Sequence, residues 1–138
     1  MKKLKTSMSK LQLKKKYSTD AGYDICSAET VCIPPKSDIL INTDLYIALD
    51  TGTVGLVRAR SGISINNQIE VGAGVIDADF RGEVKVHLYN LGVNDFHIER
   101  GDRIAQLLVL PFISETFYEV DKLPETYRNT NGFGSTGK

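Results

Sequence analysis

Apolar residues in this chain fall in short, loosely alternating runs separated by turn residues, a pattern that predicts strands more than helices. Candidate strands are "KLQLK", then "GYDICSA" leading into "ETVCI", which Pro34 and Pro35 stop. "DILINTDLYIAL" and "GTVGLVRA" follow, and a Gly- and Asn-containing loop is expected from Gly62 to Gln68. "IEVGAGVIDA" reads as a further strand, with "DFRG" as a hairpin turn and "EVKVHLYN" as the returning strand. In that last strand Val84, Val86 and Leu88 share one face, and Glu83, Lys85 and His87 share the other. Ile104 to Leu110 is strongly apolar, but it is short for a helix and Pro111 closes it, so it is read as a buried strand. Ser114 to Arg128 is mixed, either two short strands or a strand and a loop. Short strands at this spacing argue for an all-β barrel or sandwich.

The chain has 138 residues, 41% hydrophobic and 8% aromatic, which suits one globular domain with a real core. Thr126 to Lys138 has little core-forming content and reads as a tail. Formal net charge is zero, so no bulk attraction to nucleic acid or an anionic membrane is expected. Seven lysines and no acid lie between Met1 and Lys16. That start is read as solvated and partly frayed; it lacks the continuous apolar core of a signal peptide. Cys26 and Cys32, six apart, could form a disulfide but are expected as buried thiols in a reducing compartment, and with no His or Cys cluster beside them in the sequence no structural zinc site is expected.

Three polar stretches stand out. In "ARSGIS", Arg60 offers a fork of donors, Ser61 a hydroxyl, and Gly62 close backbone approach to an anion; an ordinary turn would also fit. In "GAGVIDADFRG", an extended backbone would aim Asp77 and Asp79 the same way, as paired carboxylates for a metal, a water or a turn cap. Gly72, Gly74 and Gly82 suggest close approach of a ligand or another backbone. In the tail, Gly134, Ser135, Thr136 and Gly137 could form a nest of N–H groups and hydroxyls for phosphate, with Arg128 as a clamp and Phe133 free to stack on a base. A plain disordered tail would share that composition. Taken together, the three stretches suit a nucleoside triphosphate and a divalent ion.

The same residues carry a resemblance. "AGYDICSA", "RARSGIS", "GVIDADFRGEV", "GDRIAQLLV" and "RNTNGFGSTG" occur in order from Ala21 to Gly137, and the sequence resembles the homotrimeric dUTP pyrophosphatases (dUTPases). The resemblance implies an all-β fold, a distorted jelly-roll β-barrel, over residues 1–127, with a flexible C-terminal arm at 128–138. It implies a homotrimer whose active sites lie at subunit junctions, the arm of a third subunit closing over the ligand. The implied reaction is Mg²⁺-dependent hydrolysis of dUTP to dUMP and pyrophosphate by water attack on the α-phosphorus. That reaction limits uracil in DNA and supplies dUMP for dTMP synthesis. Carried over residue by residue, Asp77 would activate the water, Ser61 and Gly62 would hold phosphate oxygens, and Arg60 would support them. Gln106 would lie in the phosphate and metal shell, and Asp24 would stand near Mg²⁺ through water. The backbone of Gly72, Gly74 and Val75 would read the uracil edge, with Phe80 under the deoxyribose. Phe133 would stack on uracil, and Arg128, Gly134, Ser135 and Thr136 would contact the phosphates or shape the arm.

There are departures from the family pattern. Phe80 replaces the usual Tyr, keeping the ring and losing a hydroxyl. Ala59 stands where Pro is frequent, "INNQ" replaces a Lys-His-Gly connection, and Asn129 and Asn131 stand where the arm often has Gly. A deaminase of the same fold would need a glutamate base where the pattern holds Asp77. A dUTP-binding regulatory module acting through a protein partner is the alternative from another class, and a further protein partner stays open beside catalysis. A purely structural jelly roll gives no reason for the acid, the arginines and the arm to occur together. The expected compartment is the cytoplasm, or the nucleus in a eukaryotic or viral setting.

Overall fold

The computed structural model describes residues 3–6 and 13–132. The described chain forms β1 (Lys3–Thr6), β2 (Tyr23–Cys26), β3 (Val31–Ile33), β4 (Asp38–Ile41), β5 (Leu45–Ala48) and β6 (Thr53–Arg58). A helix α1 (Ser61–Asn67) follows, then β7 (Ile69–Val71), β8 (Val75–Ile76), β9 (Val86–Asn90), β10 (Phe96–Ile98) and β11 (Arg103–Pro111). The strands pair as β1-β5, β10-β3, β2-β11-β6-β8 and β4-β9-β7, all antiparallel. The result is the expected all-β jelly-roll barrel.

One core joins the sheets. Ile25, Ile33, Ile41, Leu45, Val57, Ile69, Leu88, Ile98 and Leu107 are each at most 2% exposed and belong to a single cluster. They come from nine different strands, so the small sheets are held together by side chains and not by hydrogen bonds alone. Each such burial is worth roughly 1.5–3 kcal/mol. Val84, Val86 and Leu88 are fully buried while Lys85 faces solvent, as the alternation predicts. Ile104 to Leu110 is a strand, paired on both sides with β2 and β6.

Four expectations are corrected. The loop at Gly62 to Gln68 is instead the helix α1, closed by Gln68 in the left-handed conformation at φ 57°. It buries no residue, so no apolar stripe announced it. The "DFRG" turn does not join a tight hairpin: β8 pairs with β6, whereas β9 pairs with β4 and β7. Residues 112–132 contain no strand. Cys32 is exposed, although Cys26 is buried, and neither forms a disulfide. At the start, residues 3–6 pair with β5, and Lys14 bridges Asp24; residues 10–12 of "KLQLK" lie outside the described residues.

Candidate active site

The register of the largest sheet brings distant motifs together. Gln106 on β11 stands opposite Asp24 on β2 and opposite Arg58 on β6, so three segments contribute to one row across the sheet. Two residues past Arg58 the chain enters α1, with Arg60 as its N-cap residue in extended conformation. Arg60 Nε lies 3.0 Å from Asp24 Oδ1, and Arg103 lies 3.4 Å from Asp24 Oδ2. Arg60 also donates to the Arg103 carbonyl at 3.3 Å, and Gln106 Nε2 donates to the Ala59 carbonyl at 3.1 Å. Asp24 thus holds two guanidinium groups at fixed positions.

These groups line a cleft of about 380 Å³, with Ser61 and Gly62 at the first turn of α1 on its wall. The leading N–H groups of a helix have no intrahelical acceptor and are open to an anion. The cleft wall carries three cations, Lys16, Arg60 and Arg103, against Asp20 and Asp24, a surplus of one positive charge. Five sequence-predicted residues, Asp24, Arg60, Ser61, Gly62 and Gln106, therefore meet in one place. Sequence reasoning missed Arg103, Lys16, Tyr17 and Asp20. Arg103 had a signal, since it sits inside "GDRIAQLLV"; Lys16 was hidden in a run of lysines read as solvated. Two residues along β2 from Asp24, burial and then the charge of Asp24 push the Cys26 thiol above its ordinary value, favouring its protonated form.

A second group of predicted residues lies elsewhere. Gly74 accepts from Val57 N–H at 2.7 Å, and Gly72 donates to the His87 carbonyl at 2.9 Å. A Cβ at Gly74 would come within 2.6 Å of the Val57 carbonyl oxygen, which is why glycine is needed there. Val75 is exposed on the two-residue β8. Asp77 opens a turn by accepting from Phe80 N–H at 3.2 Å. That turn corrects the expectation that Asp77 and Asp79 share one extended face; both are exposed. Phe80 is 41% exposed, its ring resting over Gly82.

None of Gly72, Gly74, Val75, Asp77 or Phe80 lines the Asp24 cleft. The pairing Gly55↔Ile76 puts Asp77 level with Val54, at the far end of β6 from Ser61. The strand from Val54 to Arg58 alone spans about 13 Å. Within one chain, the two halves of the predicted site face different places.

Arg128 lies in an exposed turn, donating from Nε to the Asn131 carbonyl at 2.9 Å, with Asn129 at φ 44°. Asn at that left-handed position does what Gly would do. Phe133, Gly134, Ser135 and Thr136 lie outside the described residues.

The dUTPase family model matches residues 10–137. The chain belongs to the dUTPase family. Among similar proteins, a deoxyuridine 5'-triphosphate nucleotidohydrolase of Candida albicans is 48% identical over 120 residues, 86% of this chain and 76% of that protein. One from avian adenovirus 8 is 48% identical over 85% of this chain and 72% of that one. A Tyr-to-Phe mutant of the Staphylococcus bacteriophage 80alpha dUTPase, solved with dUpNHpp, superposes with a TM-score of 0.92. It is 29% identical and covers 100% of this chain and 99% of the other. A dUTPase from phage phi11 of S. aureus, TM-score 0.81 and 25% identical over 91% of this chain and 99% of that one, is described with a coordinated structural Mg(II) ion. In this dUTPase no described helix is long and apolar enough to cross a membrane.

Proposed function

We infer that the chain hydrolyses dUTP to dUMP and pyrophosphate by water attack on the α-phosphorus. The observation that carries this reading is the convergence of Asp24, Arg60, Ser61, Gly62 and Gln106 on one cationic cleft, in a chain of the dUTPase family. Arg60 supplies charge-assisted donors to the phosphate chain, and Ser61 and Gly62 add a hydroxyl and backbone N–H groups. Asp24 positions Arg60 and Arg103, and Gln106 is set against Ala59 at the same wall.

Asp77 is the group that orients the attacking water and accepts its proton. Because Asp77 stands at the opposite end of β6 from Ser61, it serves a cleft on another subunit. This supports a homotrimer with shared sites. The backbone at Gly72, Gly74 and Val75 reads uracil, rejecting cytosine through exchanged donor and acceptor and thymine through its methyl group. Phe80 blocks a 2'-hydroxyl by its ring. Residues 128–138 form the arm, with Arg128 reaching phosphate and the Phe133 to Thr136 stretch closing over the nucleotide.

The oxygens of Asp24 and Asp20 give the cleft hard donors suited to Mg²⁺. Asp24 would hold the ion through water, since both its oxygens already accept from arginines, and most ligands would come from the triphosphate. When bound, the ion neutralises charge on the phosphate oxygens. The cytoplasm, or the nucleus in a eukaryotic or viral setting, is the proposed compartment.

The test is pyrophosphate release from dUTP, dTTP, dCTP and UTP, each with Mg²⁺ and with a chelator. Release from dUTP alone, lost on chelation, is expected. Release from UTP as well would remove the role given to Phe80, and no release from dUTP would remove the function.

A further inference from the structure

Away from the nucleotide cleft, β3 and β10 form a two-stranded sheet whose register sets Cys32 directly opposite His97. Directly paired residues on adjacent antiparallel strands project to the same face, with Cβ atoms about 4.5–5.5 Å apart. Asp95 lies in the connection just before β10, and its carboxylate comes to the same side as His97. The opposite face is the core face: Ile33 and Ile98 are at most 1% exposed. Strand register and that connection together therefore gather a thiol, an imidazole and a carboxylate outside the barrel. Their ligand atoms all lie within 4.8 Å of one another.

The three side chains are also uncommitted. Cys32 is a free thiol, and none of the three makes a hydrogen bond or ion pair with another described residue. Elsewhere this protein pairs its exposed polar groups readily, as His87 does with Asp38 at 2.8 Å. Around a tetrahedral zinc ion, bonds of about 2.0–2.3 Å put neighbouring ligand atoms roughly 3.3–3.8 Å apart. Closing from 4.8 Å needs a shift of about one ångström, within reach of side-chain rotation at exposed positions.

We propose that Cys32, Asp95 and His97 form a surface site for one thiophilic divalent cation of the zinc class, which clips β3 to β10. Thiolate, imidazole and carboxylate are the ligand types zinc takes, and magnesium does not favour the thiolate. Binding releases the Cys32 thiol proton to solvent, and a water completes the fourth position. The ligands are exposed and lack supporting hydrogen bonds, so the dissociation constant should be about micromolar and not that of a buried structural zinc.

The experiment titrates the full chain, reduced and metal-free, with Zn²⁺ alone by calorimetry, and with Co²⁺ alone by absorbance. Expected are one Zn²⁺ per chain and a thiolate-to-cobalt charge-transfer band in the near ultraviolet. Cys32→Ser should abolish the band, and Cys32→Ser and His97→Ala should each weaken Zn²⁺ binding at least about tenfold. Asp77→Asn, at the nucleotide site, should change neither. Zn²⁺ should raise the melting temperature of the parent chain and not of Cys32→Ser. Absence of the band in the parent chain would overturn the proposal. So would a band that persists in Cys32→Ser, which would assign it to Cys26, or unchanged Zn²⁺ affinity in the Cys32→Ser, His97→Ala double variant.

Discussion

Gly22 leaves room for the amide of Gln106: a Cβ at position 22 would stand 2.2 Å from Gln106 Oε1. The worst clash is with the end of a flexible side chain, and Gln106 Cβ at 3.1 Å asks only a shift of a few tenths of an ångström more, so the chain can fold around an alanine by turning Gln106 away. Turning it breaks the 3.1 Å bond to the Ala59 carbonyl and moves the amide within the cleft. Gly22→Ala should therefore lower stability by only about 1 kcal/mol while reducing kcat/KM for dUTP at least tenfold. Urea unfolding beside steady-state kinetics separates the two effects; equal activity in parent and variant would remove Gln106 from the site.

Asp77→Asn keeps the size of the side chain and removes the proposed proton acceptor. Turnover should fall about 10²–10⁴-fold with dUTP affinity nearly unchanged. Isothermal titration with a non-hydrolysable dUTP analogue checks affinity, and loss of both in parallel would deny Asp77 the water-activating role.

Chains ending at Arg128 lack all but the first residue of the proposed arm. They should unfold at the same temperature as the full chain, because the described part of the removed stretch, residues 129–132, adds no strand to the barrel, yet lose most of their turnover. Full activity in the shortened chain would exclude a closing arm.

The two thiols should differ sharply. Cys26 is buried, and burial together with Asp24 raises its pKa; Cys32 is exposed. At pH 8 a thiol reagent should label Cys32 quickly and Cys26 only on unfolding. The raised value has a stability consequence. The Cys26 contribution is fully present below the ordinary value of 9.0 and is lost as pH rises from there through the raised folded value. Cys26→Ala should flatten that alkaline loss, and peptide mapping after labelling reads the first effect directly.

Strands whose partners face the core were legible in the sequence because alternation records burial. Val84, Val86 and Leu88 are the clear case, and Ile104 to Leu110 was separated from a helix by its length and by Pro111. Pairing was less legible. Nothing local to "DFRG" shows that β8 leaves for β6 while β9 turns to β4 and β7, because register is settled by distant partners. The helix α1 escaped notice since Ser, Gly and Asn are weak helix formers and none of its residues is buried. The mixed stretch from Ser114 to Arg128 suggested one or two short strands, yet Phe117 and Tyr118 are at least 84% exposed among the described residues. For the site, motif order pointed to the residues of the cleft; Arg103 lies inside one of those motifs, but its role there followed from its contact with Asp24. The separation of Asp77 from Ser61 needed the strand register.

That separation gives the central claim its most direct test. Arg60→Ala and Asp77→Asn should each leave the protein almost inactive. Chains of the two variants, unfolded together in equal amounts and refolded, should regain dUTP hydrolysis at about one quarter of parent activity, because one site in four would draw Asp77 and Arg60 from intact copies. Activity that stays at the level of the separate variants would contradict sites shared between subunits.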